Sequence, residues 1–525
     1  MSMVAAIPLM SAVVARPVCN PWGALLLAIV LLGASFAVQG RQGISLVDEG
    51  FLWYGAQQTA HGKVPLRDFQ SYDPGRYYWS AAGMYLFGDG LVALRFSETV
   101  FQLLGLWAGL LAASRVVQNW ALLAAVGLML TLWMFQPYRF FDNTLLLCGI
   151  WIAVRLIEEP SPARIFTAGF FVGLCVFFGK NHALYNFLAQ ASLLLFLHFK
   201  LGPLLSISHL GMWVAGIMTG LVPTIAMFVA VPGFFASYIE SIQSIFRHGT
   251  NLPLPVPWPW RVSPNSAAGA AQFLLGIFLI ALPLGYLAAI TVSLSMRSQT
   301  IKDHALFIAC AFVGLFYLHH AFSRADFGHL APVIHPFTLA ALALLGFLEA
   351  RKFYHWAVIA VLIAAALFTV GRRMPIYQRI TSSTPWVPCN AGGKIFVPPS
   401  LNRLFTCLRK FAAENIAPRE GVLIAPFTPT LYPILSHESP LWDLAYFVPA
   451  TAQRQEAMIH ELAAKNVNWA IISDTLLDKR EDLRFSATHE LVWQYLMENF
   501  EPIESACLPR SMKILHRKHP SLIPN

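Results

Sequence analysis

The chain reads as a succession of long apolar runs parted by short polar segments, with a change of texture in its last third. Windows near the roughly 20 residues needed to cross a ~30 Å hydrocarbon core fall at 22–39, 91–113, 118–135, 143–157, 163–179, 185–199, 207–230, 268–295, 304–320, 328–349 and 354–370. This pattern predicts about eleven transmembrane helices, with 143–157 and 185–199 short for a full crossing. No small-residue cleavage signal follows 22–39, which reads as an uncleaved anchor behind a cytoplasmic segment 1–21. Beyond 370 charged residues return to ordinary density. There GVLIAPF (421–427) and NWAIIS (468–473) have strand length, and an amphipathic helix pattern runs from about Ala450 to Lys465. The expected fold is an α-helical polytopic membrane protein. Its bundle covers 22–370, with a first periplasmic loop at 40–90, and a small soluble α/β domain follows over 371–525.

Basic residues orient the bundle. With alternating spans, Arg16, Arg115, Arg155, Arg164, Lys200, Arg297, Lys302, Arg351 and Lys352 share one side, which the positive-inside rule makes cytoplasmic. The opposite loops hold Lys63, Arg67, Arg76, Arg139, Lys180, Arg247 and Arg324, and a task on that face would explain them. Each unusual polar cluster falls there too: residues 46–78, PYRFFDN (137–143), GKNHALYN (179–186) and HHAFSRADFGHL (319–330). Convergence of distant loops on one face is what a membrane enzyme or a ligand-binding vestibule requires. The expected location is the cell inner membrane, with that face and the C-terminal domain in the periplasm.

Composition agrees with this class. Of 525 residues 57% are hydrophobic and 12% charged, and the mean hydropathy is +0.57, values foreign to a soluble globular chain. The net charge of +9 is scattered through loops, with no basic block, so nucleic acid is not an expected partner. Membrane lipid head groups or a phosphate-bearing substrate fit better. Among the seven cysteines, Cys148, Cys175 and Cys310 lie in apolar runs and read as buried thiols. Cys389, Cys407 and Cys507 fall in the polar region, where an oxidising compartment would allow a Cys389–Cys407 disulfide.

The chemistry centres on LVDEG (46–50), just past the first span. Of two carboxylates beside an apolar–water boundary, one can act as a base while its neighbour orients a hydroxyl or binds a cation. The plainer reading is a pair of hydrated acids marking the membrane edge. Residues Phe51–His61 have helical spacing and suit a helix lying at the interface, with Trp53 and Tyr54 in the aromatic belt. Lys180, His182, Arg139, Arg324 and His329 can donate to a phosphate group, although each alone reads as a snorkelling or loop-capping side chain. Arg95 and Glu98, three apart in the second run, are expected to form an intramembrane ion pair, and Arg324 with Asp326 a local one. The run PLPVPWPW (253–260) reads as a rigid connector.

The stretch LVDEGFLWYGAQQTAHGKVPLRDFQSYDPGRYYWSAAGMYLFGDGLVALR (46–95) resembles the first periplasmic or luminal loop of the GT-C glycosyltransferases, in particular the family-39-like and ArnT-like bacterial enzymes. The shared pattern is an acidic pair, an aromatic, a G-x-PYRDF-like turn and a small-residue helix ending in FG before an Arg-bearing span. GKNHALYN is similar to that family's later Lys-bearing loop. The resemblance implies transfer of a sugar, with inversion, from a polyprenyl-phosphate donor to a glycan, lipid or protein acceptor of the cell envelope. It implies Asp48 as catalytic base and Glu49 as its helper. Lys180 and Arg324, backed by Arg139 and His329, would stabilise the leaving phosphate, and Tyr54, Arg67, Asp68 and His182 would contact substrate. No carboxylate–histidine trio demands a divalent metal; Asp48 and Glu49 would be its ligands. The turn departs from the pattern, with Leu66 in the aromatic's place. Two alternatives stay open. One is a polytopic transporter or flippase with Arg95, Glu98 and Lys180 along its pathway, although no internal repeat is visible; the other is a ligase or polymerase of another membrane class.

Overall fold

The computed structural model describes residues 20–518 except 203, 250–251, 349, 419 and 505–507. Arg16, Cys507 and most of segment 1–21 lie outside them. The first part is helical throughout: α1 (Pro21–Gln39), α2 (Asp48–Ala60), α3 (Pro74–Phe87), α4 (Leu91–Ala113), α5 (Trp120–Trp133), α6 (Phe140–Glu158), α7 (Pro162–Phe178), α8 (Lys180–Leu201), α9 (Ile207–Gly220), α10 (Val222–Ala230), α11 (Phe234–His248), α12 (Ala267–Ser295), α13 (Ala305–Ser323), α14 (Phe327–Leu330), α15 (His335–Phe347) and α16 (Lys352–Thr369).

Among the described residues seven helices are long and apolar enough to cross a membrane: α1, α4, α6, α8, α12, α13 and α16. Two pairs bent by 48° raise the number to nine, α9 with α10 and the 327–333 turns with α15. The helices α5 and α7, of 14 and 17 residues, occupy the other two apolar runs. At 1.5 Å per residue α5 is about 21 Å long, less than a full hydrocarbon core. The breaks fall where Pro223 opens α10 and where Pro332 and Pro336 deny backbone donors. Side-chain caps from Asn20, Asn119, Ser206 and Ser266 begin α1, α5, α9 and α12.

Small residues set the tightest crossing. Gly173 of α7 meets Gly220 of α9, Gly169 lies against the Trp213 backbone, and a Cβ on Gly216 would lie 2.2 Å from the Phe166 carbonyl oxygen. Matching glycines four apart on both helices let the backbones touch.

The C-terminal part contains α17 (Pro375–Thr381), a hairpin of β1 (Val387–Asn390) and β2 (Lys394–Val397), α18 (Pro399–Asn415), β3 (Val422–Ala425), α19 (Leu431–Leu435), α20 (Ala452–Ala464), β4 (Trp469–Ser473), α21 (Phe485–Thr488), α22 (Glu490–Asn499), β5 (Phe500–Ile503) and β6 (Met512–Arg517). Its main sheet runs β3-β4-β6-β5, with β3 and β4 parallel and Ile424 opposite Ile471. This unit shares a core with the first loop. Phe51, Trp53 and Tyr54 of α2 and Leu91 and Leu94 of α4 pack with Ile395, Phe405, Leu408 and Tyr432. Trp53 and Tyr54 are thus 1% and 3% exposed under the C-terminal unit, not in an aromatic belt.

The Cys389–Cys407 bridge that the sequence allowed does not form. Cys389 is a buried free thiol in β1, whereas Cys407 is disulfide-bonded.

Candidate functional site

The two adjacent acids of LVDEG have separate fates. Both lie in the first turn of α2, where the helix dipole favours a carboxylate, but successive helical residues diverge by about 100°. Glu49 turns inward and takes both oxygens to Arg95, at 2.6 and 2.8 Å. The same guanidinium donates to the carbonyls of Gly40, Gln42 and Gly43, pinning the chain as it leaves α1. Glu49 is therefore an anchor of the loop and faces away from Asp48's partners. The Arg95–Glu98 pair expected from their spacing is absent: Glu98 is fully buried in α4, and neither of its oxygens has a hydrogen bond among the described residues.

Asp48 turns the other way and is half-buried. It faces the Tyr138 hydroxyl, Arg139, His329 and Asp326, with Tyr72 close by. Tyr72, 44% exposed, stands at the rim. Burial pushes the Asp48 carboxyl up; Arg139 and the nearby Tyr138 hydroxyl pull it down, and the net shift is upward. A carboxylate raised above its ordinary range is a stronger base.

Arg139 ends the short 3-10 turn Pro137–Arg139 that leads into α6. Its Nη2 donates to His329 Nε2 at 3.0 Å and its Nη1 to His320 Nε2 at 3.3 Å. For His329 to accept there, its proton must sit on Nδ1, and Nδ1 is 2.9 Å from Asp326 Oδ1. Asp326 also caps α14 by accepting from the His329 backbone N–H. Burial raises the Asp326 carboxyl, but the His329 hydrogen bonds and Arg324 outweigh it and hold it well below the usual range. Among the described residues Arg139's ion-pair partner is Asp142 at 3.6 Å, and its Nε has no hydrogen-bond partner. Much of this guanidinium's charge thus stays unneutralised beside Asp48.

A second layer lies beneath. Asp142 accepts from Arg76 Nη2 at 2.6 Å and from His182 Nε2 at 2.9 Å, while His182 Nδ1 is 3.0 Å from the Tyr317 hydroxyl. His182 is 2% exposed and supports Asp142 from below, out of reach of the opening.

The remaining expected residues are engaged elsewhere. Lys180 Nζ lies 2.5 Å from Asp73 and above the Tyr238 ring of α11. Arg324 forms a bidentate pair with Asp478 of the C-terminal unit and also contacts Asp326. Tyr54's hydroxyl accepts from the Ser439 backbone N–H at 2.9 Å and its ring packs on Tyr432, so it ties α2 to that unit. Arg67 and Asp68 pair within their own turn, where Asp68 also accepts from Val64 N–H; Leu66 sits there at φ 70°. The structure thus brings together Asp48, Arg139 and His329 and leaves the others in supporting positions. Tyr138, His320 and Tyr72 join the site unforeseen, although they lie inside the clusters PYRFFDN, HHAFSRADFGHL and 46–78. No trio of metal-ligating residues occurs among the described residues, and both Glu49 oxygens are engaged by Arg95.

No family model matches the sequence, and no curated protein matches it. Solved structures are similar to it over nearly its whole length. They include ArnT from Cupriavidus metallidurans in the apo state, at 14% identity and TM-score 0.47, covering 94% of this chain and 96% of that one. The same protein bound to undecaprenyl phosphate gives 16% identity and TM-score 0.42 over 94% and 97%. The archaeal oligosaccharyltransferase AglB from Archaeoglobus fulgidus, in complex with an inhibitory peptide and a dolichol-phosphate, gives 12% identity and TM-score 0.43 over 93% and 75%.

Proposed function

We propose that the protein is an inverting membrane glycosyltransferase of the GT-C type. It moves a sugar from a polyprenyl-phosphate donor to a glycan, lipid or protein acceptor of the cell envelope, at the periplasmic face of the inner membrane. The observation that carries this reading is the placement of the Asp48 carboxyl within the field of the Arg139 guanidinium at the first-loop end of the bundle. Asp48 accepts the acceptor's hydroxyl proton as that oxygen bonds to the anomeric carbon. The bond from that carbon to the phosphate oxygen breaks, its electron pair leaves with the phosphate, and Arg139 stabilises the developing charge. A cation in a partly dehydrated site does this better than one in water. The disulfide at Cys407 fits an oxidising compartment for the C-terminal unit.

One observation favours transport instead: Glu98, a buried carboxyl without a hydrogen-bonding partner among the described residues, is what a cation pathway would use. Reconstituted protein supplied with polyprenyl-phosphate sugars and an envelope extract separates the two readings. A new glycosidic bond of anomeric configuration opposite to the donor's supports the transferase; substrate crossing the vesicle membrane with no such bond supports transport.

A further inference from the structure

Arg324 is the meeting point of three chain segments. Its Nη1 and Nη2 donate to the two Asp478 carboxylate oxygens at 2.8 and 2.7 Å, its Nε donates to Asp326 Oδ2 at 2.9 Å, and Nη1 also reaches the Leu252 carbonyl. Asp326 uses its other oxygen to hold His329, and His329 holds Arg139. A continuous series of short polar contacts therefore runs from the C-terminal unit to the guanidinium beside Asp48. Its outer end is built with care. Asp478 and Lys479 adopt φ of 54° and 62°, in the left-handed region that non-glycine residues rarely occupy, in a turn closed by Arg480 N–H to the Leu477 carbonyl at 3.0 Å. Two such residues in succession persist where surrounding contacts over-determine them, and the Asp478 carboxylate, 14% exposed, is the side chain this turn delivers.

We propose that Asp478 is a positioning residue for Arg139: by clamping Arg324 it fixes Asp326 and His329, so that the C-terminal unit completes the phosphate-binding part of the site. This rests on the glycosyltransferase reading, in which Arg139 meets the donor phosphate. Arg324 itself, neutralised by two carboxylates, serves as the link and not as a phosphate ligand. Bidentate geometry matters here, because a guanidinium held at two oxygens cannot swing about one of them. Releasing it lets Arg324 turn wholly to Asp326, which loosens the hydrogen bonds from Asp326 to His329.

The test is a double-mutant cycle on the full-length protein in detergent micelles, read as affinity for undecaprenyl phosphate. Coupled residues give non-additive effects. Asp478→Ala is expected to weaken binding by about fivefold, as Arg139→Gln does, while the double variant binds no more weakly than Arg139→Gln alone. Asp478→Glu should restore most of the affinity, and Asp482→Ala, in an exposed pair of the same loop, should leave it unchanged. Where Asp478→Ala fails to fold, Asp478→Asn takes its place in the cycle. Wild-type affinity in the Asp478 variant, or effects that simply add, would overturn the proposal. Failure of the wild type to bind the lipid, or an unaltered Arg139→Gln, would instead overturn the functional reading beneath it.

Discussion

Neighbouring carboxylates can differ completely in role when a helix turn separates their directions. Glu49, saturated by Arg95, is a buried structural charge; Asp48, with one phenol and one guanidinium nearby, keeps a lone pair for chemistry. A base must be ionised to act, so activity should fall as pH drops through the Asp48 pKa, at a pH above the ~3.9 of an ordinary aspartate. Arg139 lowers that pKa; in Arg139→Gln the acid limb of kcat/KM should therefore move to still higher pH, besides the loss of rate. An unmoved limb would mean that another group titrates. At this scale the sequence revealed Asp48, Arg139 and His329 as polar residues beside apolar runs. It misassigned Arg95, because spacing on one helix favoured Glu98 while burial turned the guanidinium toward the loop and Glu49. Lys180 and Arg324 were legible as cations, but their partners Asp73 and Asp478, 107 and 154 residues away in the chain, were not.

The helices themselves were the most legible feature, since each apolar run of about 20 residues must hide its backbone donors in a helix. Among the described residues each of the eleven runs contains a helix, but only seven, or nine counting the bent pairs, are long and apolar enough to cross a membrane. Averaged hydropathy does not register single prolines, which is why the bends at Pro223 and at Pro332–Pro336 were not foreseen. The α7–α9 crossing escaped for a related reason, because glycine weakly affects hydropathy but decides how closely backbones approach. Gly216→Leu should disrupt this crossing, since a Cβ there already collides with the Phe166 carbonyl, whereas Gly211→Leu on the same helix meets nothing within 4 Å. Size-exclusion profiles in detergent should show the first variant aggregated or absent and the second monodisperse; equal profiles would contradict the close packing.

At the scale of the molecule, strands and helices of the C-terminal unit could be read from periodicity, but its docking could not, because which faces meet depends on the whole fold. Tyr54 and Trp53 looked like interfacial aromatics and are instead part of a core shared with Phe405, Leu408 and Tyr432. The first loop, the α13–α14 corner and the C-terminal unit thus form one end of the bundle, and Asp48, Arg139 and Arg324 meet there from segments far apart in sequence. In the proposed reaction this assembly makes Asp48 the base of the sugar transfer. Transfer from a polyprenyl-phosphate sugar by purified, reconstituted Asp48→Asn, compared with wild type at equal insertion, tests it most directly. A fall of about 10²- to 10⁴-fold, the usual worth of a general base, is expected; transfer at the wild-type rate would rule out Asp48 as the base.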